Sequence, residues 1–176
     1  KCLKNRVVSN RCGLTCNRLS CVSERCSATV RAAAVSDLDA MMSLDSLVSA
    51  NPWSRQSLAR YCEPAPADSH CAFVCEVSLS FSGFLIYSRL LDEANIDNVA
   101  VSPHYQGRGF GRALLLTALD NMCAIGLKRC MLEVRESNVA ARALYENNGF
   151  VIDGVRPQYY KTQQGREDAL LMSRRL

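Results

Sequence analysis

The sequence predicts a single α/β (α+β) domain on a mixed, mostly antiparallel sheet of about seven strands flanked by about four helices. Three observations predict it. Apolar segments of strand length dominate up to Val101, and beyond it strands alternate with runs of helical periodicity. A glycine-rich turn, Gln106 to Gly111, joins the two regimes. At 176 residues the chain is long enough for one real core and short for two. No repeat is visible, and no apolar run approaches the roughly 18 residues of a membrane span.

Each element has its own signal. Thr29 to Ala33 is a plausible opening strand, and Ser36 with Asp37 resembles a helix N-cap. Leu38, Met41, Met42, Leu44, Leu47 and Val48 then form an apolar stripe that ends near Asn51-Pro52. Ser54 is placed to cap a second, short helix through Tyr61. Between the two lies Trp53, the only tryptophan, either a lid over the core or a wall of a substrate cleft. A proline-bearing loop over 63–68 follows. The segments 71–77 and 83–91 form an antiparallel meander, and 95–101 leads into the glycine turn. Leu115, Leu119, Met122 and Ile125 recur at helical spacing, which predicts a helix over 110–125 ended by Gly126. A strand over 130–135, a helix over 138–147 with Gly149 beyond its end, and strands over 150–155 and 169–173 complete the chain.

Charge and cysteine divide the chain at residue 28. Residues 1–28 hold six of the 21 Lys and Arg and one of the 17 acids, Glu24, leaving 15 basic against 16 acidic residues beyond. The excess positive charge therefore belongs to the head. A near-neutral body over 29–176 does not point to a nucleic-acid surface. Cys2, Cys12, Cys16, Cys21 and Cys26 are half of the ten cysteines. They lack Cys-x-x-Cys spacing and a neighbouring His, so no metal site is expected there. The head reads as a disordered, reduced tail, with an organelle transit peptide as the weaker reading. Cys62, Cys71, Cys75, Cys123 and Cys130 sit in apolar strand or helix contexts and read as small core residues. Together these features suggest a reducing, cytoplasmic setting without a membrane.

The turn Gln106-Gly107-Arg108-Gly109-Phe110-Gly111-Arg112 opens the third helix, where uncommitted backbone amides and the helix dipole suit a pyrophosphate. An NTPase loop would need Gly-Lys-Ser or Gly-Lys-Thr, and Gly111 is followed by Arg112 and Ala113. A dinucleotide loop would need Gly-x-Gly-x-x-Gly directly after the strand. The pattern here is Gln-x-x-Gly-x-Gly, which resembles the loop of the GNAT acetyltransferases; a plain glycine-rich connection is the bland alternative.

Two residues could do chemistry. In Cys130 to Arg135 the side chains alternate, placing Met131, Glu133 and Arg135 opposite Cys130, Leu132 and Val134. A carboxylate in such a strand is costly to bury unless it is solvated, paired or used. Tyr145 shares a helix face with Ala141 one turn away, and could aim its hydroxyl into a cleft or simply fill the core. His70 and His104 fall in loops and offer no His–Cys pair for a covalent route.

The stretch Leu132-Glu133-Val134-Arg135-x-Ser137-Asn138-x-Ala140-Ala141-x-Ala143-Leu144-Tyr145-Glu146-x-x-Gly149-Phe150 extends the likeness. Over about 29–176 the chain resembles the bacterial ribosomal-protein-alanine N-acetyltransferases. Asn51-Pro52-Trp53-Ser54, Leu91-Asp92-Glu93-Ala94, Tyr159-Tyr160 and Gly165 to Ala169 add to it. Arg55 and Leu58 depart from the family's Glu and Phe. The resemblance implies a GNAT fold whose sheet splays between strands four and five, with acetyl-CoA as co-substrate and no metal. It implies that Val99, Ala100 and Val101 line the pantetheine arm, with a backbone amide near Val101 facing the developing oxyanion. Gly107, Arg108, Gly109, Phe110, Gly111 and Arg112 would cradle the pyrophosphate, and Asn138 would contact the arm. Glu133 would be the general base, acting through water, and Tyr145 the general acid. Trp53, Tyr159 and Tyr160 would bind the acceptor, the N-terminal peptide of a ribosomal protein, probed by a monomer or weak dimer in direct transfer. A broader amine acetyltransferase and a non-catalytic acetyl-CoA-binding module are the rival readings.

Overall fold

The computed structural model describes residues 28–63 and 69–176. The cysteine-rich head up to Ser27 and most of the proline-bearing loop, residues 64–68, lie outside the described residues. The elements run β1 (Ala28–Ala32), α1 (Leu38–Val48), α2 (Arg55–Cys62), β2 (His70–Val77), β3 (Ser80–Leu90) and β4 (Glu93–Val101). Then follow α3 (Phe110–Ala124), β5 (Arg129–Arg135), α4 (Val139–Glu146), β6 (Val151–Thr162) and β7 (Gly165–Arg175). Seven strands form one open sheet in the order β1-β2-β3-β4-β5-β7-β6. Every neighbouring pair is antiparallel except β4 and β5. Among the described residues no helix is long and apolar enough to cross a membrane.

Alternation along the strands builds two apolar layers, one on each face. Leu38, Met41, Leu44 and Leu58 of α1 and α2 pack on Val74, Phe84, Ile86 and Ala100. Leu114, Leu115, Leu119, Met122 and Tyr145 of α3 and α4 pack with Tyr87, Ile96, Leu132 and Met172 on the other face. Cys130, Leu132 and Val134 are buried in that second layer, so Glu133 and Arg135 point to the face that carries α1 and α2.

The helix signals hold up well. Ser54 accepts the Ser57 amide at 3.1 Å and starts α2. Asn138 does the same for α4 through the Ala141 amide, also at 3.1 Å. Asp37 differs from its expected role. A short 3-10 turn, Val35–Asp37, precedes α1, and the Asp37 carboxylate accepts the Ala34 amide while pairing with Arg31. Its acceptors are thereby spent on the turn and the ion pair rather than on the first amides of α1. Cys123 is also a correction, because it is exposed on α3; Cys75 and Cys130 are buried as expected, and Cys62 and Cys71 half-buried. The last hairpin is longer than the sequence suggests: β6 and β7 extend to Thr162 and back from Gly165.

Candidate active site

β4 and β5 pair from Glu93–Arg129 to Ile96–Leu132 and no further. Beyond that point β4 continues to Val101 and β5 to Arg135, and the two strands separate into a wedge. The separation begins at a bulge: Tyr87 of β3 faces Ile96 and Ile86 faces Asn98, leaving Asp97 as the extra residue. Past the bulge, the Ser102 amide donates to Ser82 O at 2.8 Å. Backbone groups alternate along an antiparallel strand, so those of Val99 and Val101 face away from β3 and into the wedge. Those of Ala100 turn toward β3, and its side chain is buried under α1 and α2. At Gly83, opposite Val101, a Cβ would lie 2.7 Å from the Ala100 carbonyl oxygen. Only glycine permits this close approach of β3 and β4.

At the end of β4 the chain turns through Gly107 and Gly109, with φ of 72° and 86°, and Gly109 is the N-cap of α3. Glycine adopts this left-handed backbone without steric penalty. Among the described residues no backbone hydrogen bond of good distance and angle is donated by the amides of Gly107 to Arg112. Gly107 to Gly109 and Arg112 are exposed. At Gly111 a Cβ would make only ordinary contacts of 3.6 Å with Leu144 and Val101, so packing does not require glycine there. Uncommitted amides at the positive end of a 15-residue helix fit the diphosphate of a coenzyme. Gln106 has a different task. Its Nε2 donates to Val101 O at 3.0 Å and folds the turn back onto the wedge.

Glu133 lies one residue past the last β4–β5 pair. Its carboxylate accepts from Arg156 Nη1 at 2.9 Å and is partly exposed. Arg156 comes from β6, and its guanidinium lies 5.4 Å from the Tyr159 ring centroid. Arg135 sits 4.2 Å from the centroid of Tyr160 and pairs with Glu167, so each tyrosine is braced by an arginine. Burial chiefly, and then Glu133, raises the Tyr160 phenol above its usual pKa. Tyr145 lies on the α3–α4 face, 7 % exposed, against Phe150. Burial chiefly, and then Cys130 and Tyr160, pushes its phenol up, so its proton is firmly held. Glu133 and Tyr145 thus approach β5 from opposite faces, and the wedge is where the two faces meet. Asn138 spends its carbonyl oxygen on the α4 cap.

Residues 38–150 match the Acetyltransferase (GNAT) family. The chain is 37 % identical over 145 residues to the [ribosomal protein bS18]-alanine N-acetyltransferase of Escherichia coli K12, covering 82 % of this chain and 95 % of that one. The chain belongs to the GNAT acetyltransferase family. A putative enzyme of the same name from Bacillus subtilis is 31 % identical over 82 % of this chain and 93 % of its own. The crystal structure of the Escherichia coli ribosomal-protein-S18-alanine N-acetyltransferase superposes with a TM-score of 0.77 at 36 % identity, covering 84 % of this chain and 93 % of that one.

In this GNAT acyltransferase, further residues meet at the wedge. Asp45, Tyr61, Asn98 and Arg156 all hold neighbours of the wedge. Asp45 follows Leu38 and Met41 at helical spacing, so a carboxylate on the buried stripe of α1 was a readable signal. Arg156 gives no such signal, because the sequence pattern predicts a strand that ends at Val155, whereas β6 runs on to Thr162.

Proposed function

We propose that the chain transfers the acetyl group of acetyl-CoA to the N-terminal α-amine of a ribosomal protein, with alanine as the first residue. The observation that carries this reading is the wedge, which opens at Ile96–Leu132 with Glu133 at its mouth and the α3 amides beyond it. The 37 % identity with the Escherichia coli enzyme supports the choice of acceptor.

Acetyl-CoA supplies the activated acyl thioester. Amides of Gly107, Arg108, Gly109, Phe110, Gly111 and Arg112 hold the diphosphate, while Val99 and Val101 pair with the pantetheine arm along the wedge. Asn138 donates its side-chain amide to that arm. The Val101 amide faces the carbonyl oxygen on which negative charge develops. On the α1–α2 face, Glu133 takes a proton from the acceptor ammonium through water. An α-amine has a pKa of about 8, so a modest base suffices near neutral pH. On the other face Tyr145 donates a proton to the departing thiolate, whose conjugate acid has a pKa of about 8.5. Trp53, Tyr159 and Tyr160 line the acceptor side. The amine attacks directly in a ternary complex, with no acyl-enzyme, in the cytoplasm.

The test is thiol release from acetyl-CoA against peptides that differ only in their first residue, with spermidine and NADH as controls. An Ala-first ribosomal peptide should give the highest kcat/KM. Equal rates on spermidine would favour a broad amine acetyltransferase. Tight binding of acetyl-CoA without thiol release would favour a non-catalytic module, and protection by NADH instead would favour a dinucleotide site.

A further inference from the structure

The Asp45 carboxylate is completely buried at the last turn of α1, and both of its oxygens are committed. Oδ2 accepts the backbone amide of Trp53 at 2.6 Å. Oδ1 accepts from Asn98 Nδ2 at 2.9 Å. Both partners are neutral donors, and losing either would leave a buried carboxyl oxygen without a partner, which is costly. A second link runs parallel to it. The Tyr61 hydroxyl of α2 donates to Asp97 Oδ2 at 2.9 Å, and Asn95 Nδ2 holds the other oxygen of Asp97 at 2.7 Å. The Trp53 ring in turn meets the Tyr61 ring edge-on, with centroids 5.7 Å apart.

These links converge on one place. Asp97 is the extra residue of the β4 bulge and Asn98 follows it, where β4 parts from β5. The Trp53 connection is thereby tied, through Asp45 and Tyr61, to the stretch of strand that opens the wedge. Glu133 projects from the same face of the sheet. Resting on the acetyltransferase reading above, we propose that Asp45 is a positioning residue for acceptor binding. It clamps the Trp53 connection to the bulge of β4, so that the acceptor wall stands at a fixed distance from the thioester. Asp45 touches neither substrate. Its effect passes through the Trp53 backbone and the Asn98 side chain.

The clamp makes a prediction that a merely structural carboxylate would not. Asp45→Asn keeps the shape and still accepts the Trp53 amide, but sets an amide donor against the Asn98 amide donor. The peptide KM should rise about tenfold, the loss of roughly one hydrogen bond to a charged group. The acetyl-CoA Kd should change less than the peptide KM, because the diphosphate is held by α3 amides that lie outside the clamp. Adding Asn98→Asp restores a donor facing an acceptor. The double variant D45N/N98D should return the peptide KM to within about threefold of the parent enzyme. An unchanged KM in D45N, or a raised KM that N98D fails to rescue, overturns the proposal. Hydrogen exchange at the Trp53 amide gives a readout that does not depend on activity. The amide should be protected in the parent and exchange faster in D45N, because an amide oxygen accepts it more weakly than the carboxylate oxygen does; equal exchange also overturns the clamp. A parent enzyme that releases no thiol with any amine would instead strike the acetyltransferase reading, and the exchange measurement would still judge the clamp.

Discussion

Arg156 and Glu133 meet at 2.9 Å on the α1–α2 side of the sheet, so in the proposed reaction an incoming ammonium would share the carboxylate with a resident guanidinium. Removing the carboxylate leaves only the amine molecules that are already neutral in solution. With an amine pKa of about 8, that is roughly a tenth of the total at pH 7. Glu133→Gln should therefore lower kcat/KM by about 10- to 100-fold at pH 7 and by less above pH 8. Acetyl-CoA affinity should barely change, because no cofactor-facing amide is touched. A pH–rate series with calorimetry on the same protein checks both, and a uniform loss at all pH values would remove Glu133 from the base role. Tyr145 answers a different measurement. Its ring fills the α3–α4 layer, and Tyr145→Phe keeps that ring while deleting the hydroxyl. If the hydroxyl protonates the leaving thiolate, kcat should fall by about 10²-fold or more with little change in Tm. Because burial raises its pKa, Tyr145 should impose no alkaline limb on kcat below about pH 10 in the parent enzyme. Unchanged kcat in Tyr145→Phe would leave the ring a packing residue only.

At the scale of elements, the close approach of β3 and β4 makes a sharp demand on Gly83. Gly83→Ala would set a methyl 2.7 Å from the Ala100 oxygen, and backbone there cannot swing aside as a side-chain tip can. The expected cost is about 1–3 kcal/mol in urea unfolding, together with a loss of acetyl-CoA affinity as β4 shifts. An unchanged acetyl-CoA affinity in Gly83→Ala would show that the wedge tolerates movement of β4. What sequence could reveal about these elements follows from their surroundings. α3 and β5 were legible because one face of each is buried, which writes helical spacing or strict alternation into the residue types. β6 was legible only at its start. Most of its residues are exposed, so its pattern carries no alternation, and Pro157, a positive φ at Gln158 and an irregular register near Arg156–Tyr160 disguise a strand as a loop. Glu133 was visible as a carboxylate in an apolar strand, and Gly109 as turn chemistry. The β4 bulge was not visible, because a bulge is a property of pairing between strands and leaves no fixed residue signature at Asp97.

Across the whole molecule, the α1–α2 layer hangs from the N-terminal half of the sheet. β1, the turn before α1, and β2 are joined by Arg31, which donates to Asp37 at 2.7 and 2.8 Å and to Glu76. The Arg31 hydrogen bond is the main cause of a lowered Asp37 pKa, with the Ala34 amide adding to it and burial opposing it. The sign of the linkage follows directly. Below an ordinary carboxylate pKa of about 4 the unfolded chain takes up a proton at this position before the native one does. Asp37 therefore stabilises the fold above about pH 4, and that contribution is lost as pH falls through its lowered native value. Arg31→Gln removes the cation and should cost about 1–2 kcal/mol at pH 7, a modest figure because Arg31 is partly exposed to screening solvent. The difference between parent and variant should narrow as pH falls through the native Asp37 pKa, since protonated Asp37 no longer gains from the charge of Arg31. Urea unfolding at pH 7 and at steps below pH 4 checks this, and a gap that stays constant across that range would show that Arg31 acts by packing its stem rather than by holding the Asp37 carboxylate. Because the same turn leads into α1, which carries Asp45, the acid-side loss should also appear at the Trp53 amide as faster hydrogen exchange before the α3–α4 layer opens.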